Sequence, residues 1–256
     1  MEKKENCGSM IVNKRRKGKV FMNIALLLSG GTGIRLGSKI PKQYIQVGNR
    51  SIISYSLEQL FRHSEIDAIQ ITADKEWREV IEKSIKLYDR ENKFRGFSEP
   101  GKSRQLSILN SLEDIEAYAD DTDYIFIHDA ARPELSRELI SACLRAAVGH
   151  DGALPVLPMK DTVYSSTDGV RISSLLNRAE IFSGQAPEIF LFGKYLKANR
   201  DLLPDKILQI NGSTEPAIMA GMDIALIPGD ENNYKITTKA DLERFQAEIM
   251  RAKKGE

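Results

Sequence analysis

Glycines and cations occur together at several places in this sequence of 256 residues, a combination typical of phosphate-binding loops. The first spans residues 29–37 (Ser-Gly-Gly-Thr-Gly-Ile-Arg-Leu-Gly), and Pro41-Lys-Gln-Tyr44 follows closely. Glycine lets backbone N–H groups turn towards a phosphate chain without a Cβ in the way. Because Arg35 adds a fork of donors and Lys42 a compact charge, we predict a phosphate site here. Leu36 stands where a dinucleotide fingerprint needs glycine, which disfavours a Rossmann dehydrogenase.

A second glycine segment, 96–103 (Gly-Phe-Ser-Glu-Pro-Gly-Lys-Ser), matches the Walker A spacing, with Lys102 in the lysine position. A true P-loop follows a buried strand, whereas the seven residues up to 95 (Asp-Arg-Glu-Asn-Lys-Phe-Arg) are too polar for a central strand. We therefore interpret this segment as a loop that opens the helix carrying Arg104 and Ser107. A P-loop NTPase is the alternative hypothesis.

A third glycine loop and one carboxylate complete the candidates. Residues 229–235 (Gly-Asp-Glu-Asn-Asn-Tyr-Lys) are acidic where a phosphate cradle needs no negative charge, and Lys235 is their one useful cation. Asp129 follows an apolar run at 124–128, which makes it either a Mg²⁺ ligand, a Walker B aspartate or a structural cap. His128 precedes it, but three scattered histidines make no metal cluster, so we expect this side chain to be packed.

Apolar patterns place these residues at strand ends. Continuous apolar runs predict buried strands, and apolar residues three or four apart predict helices. Ser51 and Thr238 are expected to cap their helices, and Trp77 to pack on an apolar helix face. The alternation predicts an α/β fold with a doubly wound, mostly parallel sheet, which binds ligands beyond the carboxyl ends of its strands. The expected strands are 24–29, 68–73, 124–128, 153–157, 223–227 and 234–237, and the expected helices are 51–63, 76–87, 105–118, 136–148, 193–199, 215–221 and one from 238.

One segment interrupts the alternation. Residues 162–166 and 170–175 flank Asp168-Gly169, a dipeptide that predicts a β-hairpin with a tight turn. Both strands are rather polar, and an isolated two-stranded hairpin is only marginally stable. We therefore expect a protruding β-hairpin arm, at about 161–178, that forms a surface flap or reaches a partner subunit.

The composition excludes several classes of protein. Apolar residues make up 41 % and charged residues 29 %, and 37 Lys and Arg against 36 Asp and Glu leave a net charge of +1. This balance predicts no binding of nucleic acid or membrane. Two cysteines, Cys7 and Cys143, exclude a disulfide scaffold and a four-cysteine zinc site. We predict a flexible basic tail at 1–19, with contact to RNA or lipid as a minor alternative, and one cytoplasmic domain at 20–256.

Several motifs recur in the order found in a known family. The chain resembles the 2-C-methyl-D-erythritol 4-phosphate cytidylyltransferases, a family that includes the related ribitol 5-phosphate cytidylyltransferases, over roughly residues 22–250. The most specific motif is His128-Asp-Ala-Ala-Arg-Pro133. The others are Ser29-Gly-Gly-Thr-Gly-x-Arg-Leu36, Pro41-Lys-Gln-Tyr44, Gly101-x-x-Arg104-x-x-Ser107, Asp161-Thr162 and Lys235-Ile-Thr237.

The resemblance implies a single nucleotidyltransferase domain and a homodimer built by the hairpin arm. The implied reaction is attack of a polyol phosphate on the α-phosphorus of CTP, with release of pyrophosphate and with Mg²⁺ bridging the phosphates. Positioning and electrostatics would dominate such a reaction. The implied roles are catalytic for Arg35, Lys42 and Lys235; nucleotide-binding for Ser29, Gly30, Gly31, Thr32, Gly33, Gly101, Arg104 and Ser107; acceptor-binding for Asp129, Thr162 and Arg178; and metal-binding for Asp129.

The chain departs from the family pattern in two segments. Residues 211–216 (Asn-Gly-Ser-Thr-Glu-Pro) lack the aspartate of the usual Thr-Asp-Glu or Thr-Asp-Ala, and the usual Gln-Thr-Pro-Gln appears as Gln185-Ala-Pro-Glu188. Residues 177–181 (Asn-Arg-Ala-Glu-Ile) are closer to the ribitol branch, whereas the 128–133 motif is closer to the methylerythritol branch. We predict 2-C-methyl-D-erythritol 4-phosphate as the acceptor, with ribitol 5-phosphate as the alternative. A non-catalytic nucleotide-binding protein is a third hypothesis.

Overall fold

A computed structural model describes residues 21–31 and 40–254. The tail predicted at 1–19 lies outside the described residues, as do Thr32, Gly33 and Arg35 of the first glycine loop. Short 3₁₀ turns, among them Lys42–Tyr44 and Arg178–Glu180, join some of the regular elements.

The regular elements alternate as the apolar patterns predict. Within 21–31 and 40–254, every helix is too short or too polar to cross a membrane. The strands are β1 (Asn23–Leu28), β2 (Gln46–Val47), β3 (Arg50–Ser51), β4 (Ala68–Thr72), β5 (Phe94–Ser98), β6 (Tyr124–Asp129), β7 (Gly152–Pro158), β8 (Tyr164–Ser165), β9 (Ser174–Leu175), β10 (Phe182–Gly184), β11 (Glu188–Leu191) and β12 (Ile224–Pro228). The α-helices are α1 (Ile52–Arg62), α2 (Arg78–Tyr88), α3 (Arg104–Ile115), α4 (Arg137–Ala147), α5 (Phe192–Arg200), α6 (Glu215–Met219) and α7 (Lys239–Lys254).

One sheet of eight strands forms the centre of the molecule. Its path runs β10-β7-β11-β6-β1-β4-β5, and β12 pairs with β7. The pairs β6-β1, β1-β4, β4-β5 and β7-β12 are parallel, whereas β11 runs antiparallel to both β6 and β7. The predicted mostly parallel sheet is therefore confirmed, and β1, β4, β5 and β6 all end at the same edge.

The sheet is covered on both faces, as expected for a doubly wound fold. Ala25 and Leu27 of β1 join one core cluster with α1, α2 and α4. Ile24 and Leu26 join a second cluster with α3, α5 and α6. Because both faces are buried, β1 needs apolar residues at successive positions, and this explains its continuous apolar run.

Three strands of the sheet were not predicted. β5 (Phe-Arg-Gly-Phe-Ser) has no continuous apolar run, since it lies at the edge with one neighbouring strand, and its Gly96 opens the Walker-like match. The match thus begins inside an edge strand, not in a loop after a buried one. β10 and β11 are short and pair antiparallel with β7, a contact that local patterns cannot reveal. The strand predicted at 234–237 is wrong, since these residues form no regular element.

The predicted helix caps differ in outcome. Thr238 Oγ1 accepts from the Asp241 backbone N–H at 3.2 Å, and Asp241 Oδ2 accepts from the Thr238 N–H at 2.7 Å, which confirms the capping box of α7. Ser136, for which no cap was predicted, caps α4, because its Oγ accepts from the Leu139 N–H at 3.2 Å. The cap predicted for Ser51 is wrong, because its side chain makes no capping hydrogen bond to α1.

The hairpin arm is present but shorter than predicted. Only Tyr164–Ser165 and Ser174–Leu175 pair as strands, so an eight-residue loop replaces the predicted tight turn. Asp168 organises this loop because its Oδ1 accepts from the backbone N–H groups of Val170 and Arg171 at 2.9 and 2.8 Å. The arm exposes apolar side chains, with Val170 85 % exposed.

Candidate active site

A pocket of about 580 Å³ opens at the edge of the sheet where the parallel strands end. Its volume suits a ligand of nucleotide size. Its wall comes from the segments that follow β1, β4, β5 and β6, together with the segment before α7. The lining residues are Leu28, Gly30, Gly31, Lys42, Gln43, Thr72, Gly101, Lys102, Ser103, Arg104, Ser107, Asp129, Ala131, Lys235 and Thr237.

The pocket is strongly cationic. Lys42, Lys102, Arg104 and Lys235 line it, whereas Asp129 is the one carboxylate among the described lining residues. The excess of positive charge in a concave site attracts anions and raises their local concentration. The pocket is therefore suited to a polyphosphate.

Two side chains of the Pro41-Lys-Gln-Tyr44 motif hold the start of the glycine loop. Gln43 Nε2 donates to the backbone oxygens of Ser29 at 2.7 Å and Gly31 at 2.8 Å. The hydroxyl of buried Tyr44 lies 2.7 Å from Ser29 Oγ, and burial raises the pKa of Tyr44 to about 12. Sequence reasoning quoted this motif but gave a role only to Lys42. The structure shows that its neighbours fix the loop backbone.

Trp77 supports the same corner from behind. Its ring stacks on that of Tyr44, with centroids 4.5 Å apart and planes 8° from parallel. It also packs against the core cluster on the α1 side of the sheet. Trp77 therefore packs against the core, as expected, but it is only half-buried and has Tyr44 as its stacking partner.

Close packing requires glycine at two positions of the pocket. A Cβ at Gly30 would lie 2.6 Å from Pro100 Cβ, so the first glycine loop and the β5–α3 loop touch. A Cβ at Gly101 would lie 2.5 Å from Leu106 Cβ. The backbone N–H of Gly101 donates to Ser107 Oγ at 2.9 Å, which joins two residues of the Gly101-x-x-Arg104-x-x-Ser107 motif.

Asp129 lies at the centre of a cluster of cations. Lys235 Nζ donates to its Oδ2 at 2.9 Å, Arg104 Nη2 to its Oδ1 at 3.3 Å, and Arg132 Nε lies 3.6 Å away. Burial alone would raise the pKa of Asp129, but Arg104 and Lys235 lower it well below its usual range. The carboxylate therefore stays ionised and draws both cations into the pocket.

His128 is packed, as the sequence predicts. Its side chain is fully buried, and Nε2 lies 3.1 Å from the Arg132 backbone oxygen. Burial lowers the pKa of His128 to about 4, so the ring is neutral near pH 7. It supports the turn that carries Asp129 and Arg132.

Two predicted acceptor residues lie away from the pocket. Thr162 and Arg178 are exposed on and beside the arm, and neither lines the pocket of this chain. Arg178 Nη1 donates to the Lys160 backbone oxygen at 2.6 Å. Their assignment to the acceptor site therefore stays a prediction.

Several polar residues of the pocket received no role in the sequence analysis. Gln43, Thr72, Ser103 and Thr237 all line it, and Thr72 is the last residue of β4. The place of Thr72 at the end of a strand was the one signal available for it. Gln43 and Thr237 stand in quoted motifs, but the fold is what shows that all four side chains line the pocket.

Comparisons with known proteins agree with this geometry. A family model for 2-C-methyl-D-erythritol 4-phosphate cytidylyltransferase matches residues 23–251. The enzyme of that name from Thermotoga neapolitana is 33 % identical over 222 residues, covering 87 % of this chain and 94 % of that protein. A ribitol-5-phosphate cytidylyltransferase of Streptococcus pneumoniae is 30 % identical over 228 residues, covering 86 % and 96 %.

A solved structure shares the fold. It is a 4-diphosphocytidyl-2C-methyl-D-erythritol synthase from Anaerococcus prevotii, with a TM-score of 0.78 and 22 % identity. The match covers 90 % of this chain and 97 % of that one. The family model covers nearly the whole of the described chain, and the motifs that carry the resemblance, apart from Asp161-Thr162 on the arm, contribute residues to one pocket where the structure describes them. The chain therefore belongs to the 2-C-methyl-D-erythritol 4-phosphate cytidylyltransferase family of enzymes.

Proposed function

We propose that this enzyme transfers a cytidylyl group from CTP to a polyol phosphate, with 2-C-methyl-D-erythritol 4-phosphate as the acceptor. The observation that carries the proposal is the pocket itself, where four cations face one carboxylate among the described lining residues, beside a glycine loop. The Thermotoga relative's name supports this acceptor. The Streptococcus relative and the residues at 177–181 favour ribitol 5-phosphate as the second candidate.

The nucleotide would lie across the two glycine segments. Backbone N–H groups at Gly30 and Gly31 would face the triphosphate, and Gly101, Arg104 and Ser107 would frame the ribose and base. The proposed roles of Thr32, Gly33 and Arg35 rest on the sequence alone. Ser29 would act indirectly, by fixing the backbone of the glycine loop. Its backbone oxygen accepts from Gln43, and its hydroxyl is hydrogen-bonded to that of Tyr44.

The proposed chemistry needs positioned charge more than a strong base. A phosphate oxygen of the acceptor, already ionised near neutral pH, attacks the α-phosphorus of CTP. The bond from that phosphorus to the α,β-bridging oxygen breaks, and its electron pair leaves with pyrophosphate. Lys42, Lys235 and Arg35 would stabilise the negative charge that develops on the phosphate oxygens.

Mg²⁺ fits this donor set only with help from the substrate. Within 21–31 and 40–254, no group of three His, Cys, Asp or Glu side chains is arranged to hold a metal. Mg²⁺ often binds through one or two carboxylates, substrate phosphates and water, and Asp129 offers the one carboxylate. The bound ion would neutralise phosphate charge, while Lys235 and Arg104 keep Asp129 ionised.

The acceptor would lie near Asp129, with Thr162 and Arg178 reaching it from a second copy of the chain. Both residues are outside this chain's own pocket, and the arm beside them exposes apolar side chains. A homodimer is therefore part of the proposal, and a cytoplasmic location stays a prediction from the sequence. An arginine fork suits a phosphate.

Pyrophosphate release from CTP and Mg²⁺ tests the proposal, with each polyol phosphate as acceptor in a parallel reaction. Faster release with 2-C-methyl-D-erythritol 4-phosphate than with ribitol 5-phosphate supports the main proposal, and the reverse order supports the second candidate. CTP binding without release in either reaction would instead favour a non-catalytic nucleotide-binding protein.

A further inference from the structure

The two segments in which the chain departs from the family pattern contact each other beside the pocket. Glu188 accepts a hydrogen bond from Ser213 Oγ through Oε1, and from Thr214 Oγ1 through Oε2 at 2.7 Å. Glu188 and Ser213 are both buried. This pairing joins the start of β11 to the turn before α6, and no sequence pattern predicted it.

The pair also holds Arg104, which lines the nucleotide pocket. Arg104 Nη1 donates to Ser213 Oγ at 2.6 Å, and Arg104 Nη2 lies 3.6 Å from Glu188 Oε1. Ser213 therefore accepts from the guanidinium and donates to the carboxylate. Burial alone would lower the pKa of Arg104, but the charges of Asp129 and Glu188 raise it.

Hydrogen-bond chemistry makes the carboxylate specific for this arrangement. A serine hydroxyl has one proton to donate, and an ionised carboxylate can only accept. Glu188 therefore fixes the Ser213 proton on its own side, which leaves a hydroxyl lone pair directed at Arg104. A glutamine at 188 would keep one acceptor oxygen but add a donor and lose the charge that attracts Arg104.

Asp129 by itself fixes the Arg104 side chain poorly, because the same carboxylate also pairs with two other cations. Lys235 and Arg132 approach its Oδ2, and Arg104 its Oδ1. Glu188 lies on β11, which pairs with β6, and its partner in the register is Ile127. Because Ile127 is two residues before Asp129 on β6, Glu188 places a second carboxylate near Asp129. Asp129 thus pairs with Lys235 and Arg132, whereas Arg104 lies between Asp129 and Glu188 and pairs with both.

We propose that Glu188 is a positioning residue for the nucleotide, which fixes Arg104 through Ser213. This role of Glu188 rests on the proposed function, because Arg104 is the residue that would face CTP. Glu188 itself does not line the pocket. The consequence is that Glu188 and Ser213 affect CTP affinity as one unit.

Equilibrium binding of CTP, measured by isothermal titration calorimetry on full-length protein, tests the proposal. Glu188→Gln and Ser213→Ala are each expected to weaken CTP binding about tenfold, the scale of one charge-assisted hydrogen bond. The double variant should bind more tightly than the product of the two single effects predicts, because both break the same chain of contacts. Glu65→Gln is the matched control, since Glu65 also accepts from a serine hydroxyl, that of Ser141, but at the opposite edge of the sheet.

The outcomes separate the two proposals. Unchanged affinity in Glu188→Gln, or single effects that simply multiply in the double variant, would overturn the role of Glu188 while leaving the proposed function intact. A wild-type protein that does not bind CTP would overturn both. Thermal unfolding of each variant shows whether the variant is folded. If Glu188→Gln does not fold, the CTP affinity of Ser213→Ala tests the proposal by itself. Normal CTP affinity in Ser213→Ala would then refute the role of Glu188.

Discussion

At the residue scale, two lysines of the pocket distinguish the first glycine loop from the Walker-like segment as the site of the triphosphate. Lys42 begins the 3₁₀ turn that holds the first glycine loop, whereas Lys102 lies in the loop after edge strand β5. We expect Lys42→Ala to lower turnover about 100-fold or more, as for loss of one transition-state donor, and to weaken CTP binding less. Lys102→Ala should have a small effect in the same assay. The reverse order would favour the P-loop hypothesis.

A buried histidine outside the pocket gives a prediction about pH. His63 Nδ1 accepts from the Glu65 N–H at 3.3 Å, and Nε2 lies 3.2 Å from the Arg137 backbone oxygen, an arrangement that suits a neutral ring. Burial lowers the pKa of His63 below its usual 6.5, and the charges of Arg137 and Lys93 act in the same direction, against Glu65 and the bond to Arg137.

The sign of the pH effect follows from this lowered pKa. Below about pH 6.5 the unfolded chain binds a proton that folded His63 does not, so the stability present above that pH is lost as the pH falls. The thermal unfolding midpoint should therefore fall between about pH 7.5 and pH 5 more steeply in wild type than in His63→Gln. His128 adds a loss of the same sign to both proteins. Equal slopes would contradict the prediction.

At the element scale, the two serines that precede α1 and α4 differ in what they do. Ser136 Oγ accepts a backbone hydrogen bond from α4, whereas Ser51 makes no such bond to α1. Ser136→Ala should therefore lower the free energy of unfolding by about 1 kcal/mol. Ser51→Ala, the matched control, should lower the free energy of unfolding less, because the Ser51 side chain makes no capping bond. The backbone oxygen of residue 51 still accepts from Ser54 Oγ after the change. Chemical denaturation measures both, and equal losses would count against this assignment of the caps.

At the scale of the whole molecule, the arm predicts an assembly. Val170, Ile172 and Leu175 are 85, 67 and 66 % exposed, and such apolar side chains on a two-stranded hairpin are expected to pack on a partner. An isologous contact with a second copy would bring Arg178 to the partner's acceptor site.

Complementation between inactive variants tests this assembly. Mixed Arg178→Ala and Lys42→Ala chains should form heterodimers in which one of the two sites keeps both residues, so activity should return on mixing. Sedimentation velocity first shows whether the protein is a dimer. A monomer would refute the role of the arm, and a dimer that exchanges subunits without recovery would refute the placement of Arg178 across the interface.

Features that depend on residues adjacent in the chain could be predicted from the sequence alone. The apolar runs of β1 and β6, the Thr238–Asp241 capping box and the glycine segments follow from local chemistry, and the ordered motifs were sufficient to identify the family. β5 escaped prediction because an edge strand needs no continuous apolar run, and Ser51 shows that a favourable residue type does not guarantee a cap.

Which charges meet depends on how distant parts of the chain pack together. Lys235 and Asp129 are 106 residues apart in the chain, and Arg104 and Ser213 are 109 apart. Their contacts arise because parallel strands end at one edge, while antiparallel β11 begins there with Glu188. A local pattern carries no information about such pairings, since strand order depends on packing across the whole sheet. The sequence therefore indicates the kind of chemistry, and the fold selects the side chains that surround the nucleotide pocket.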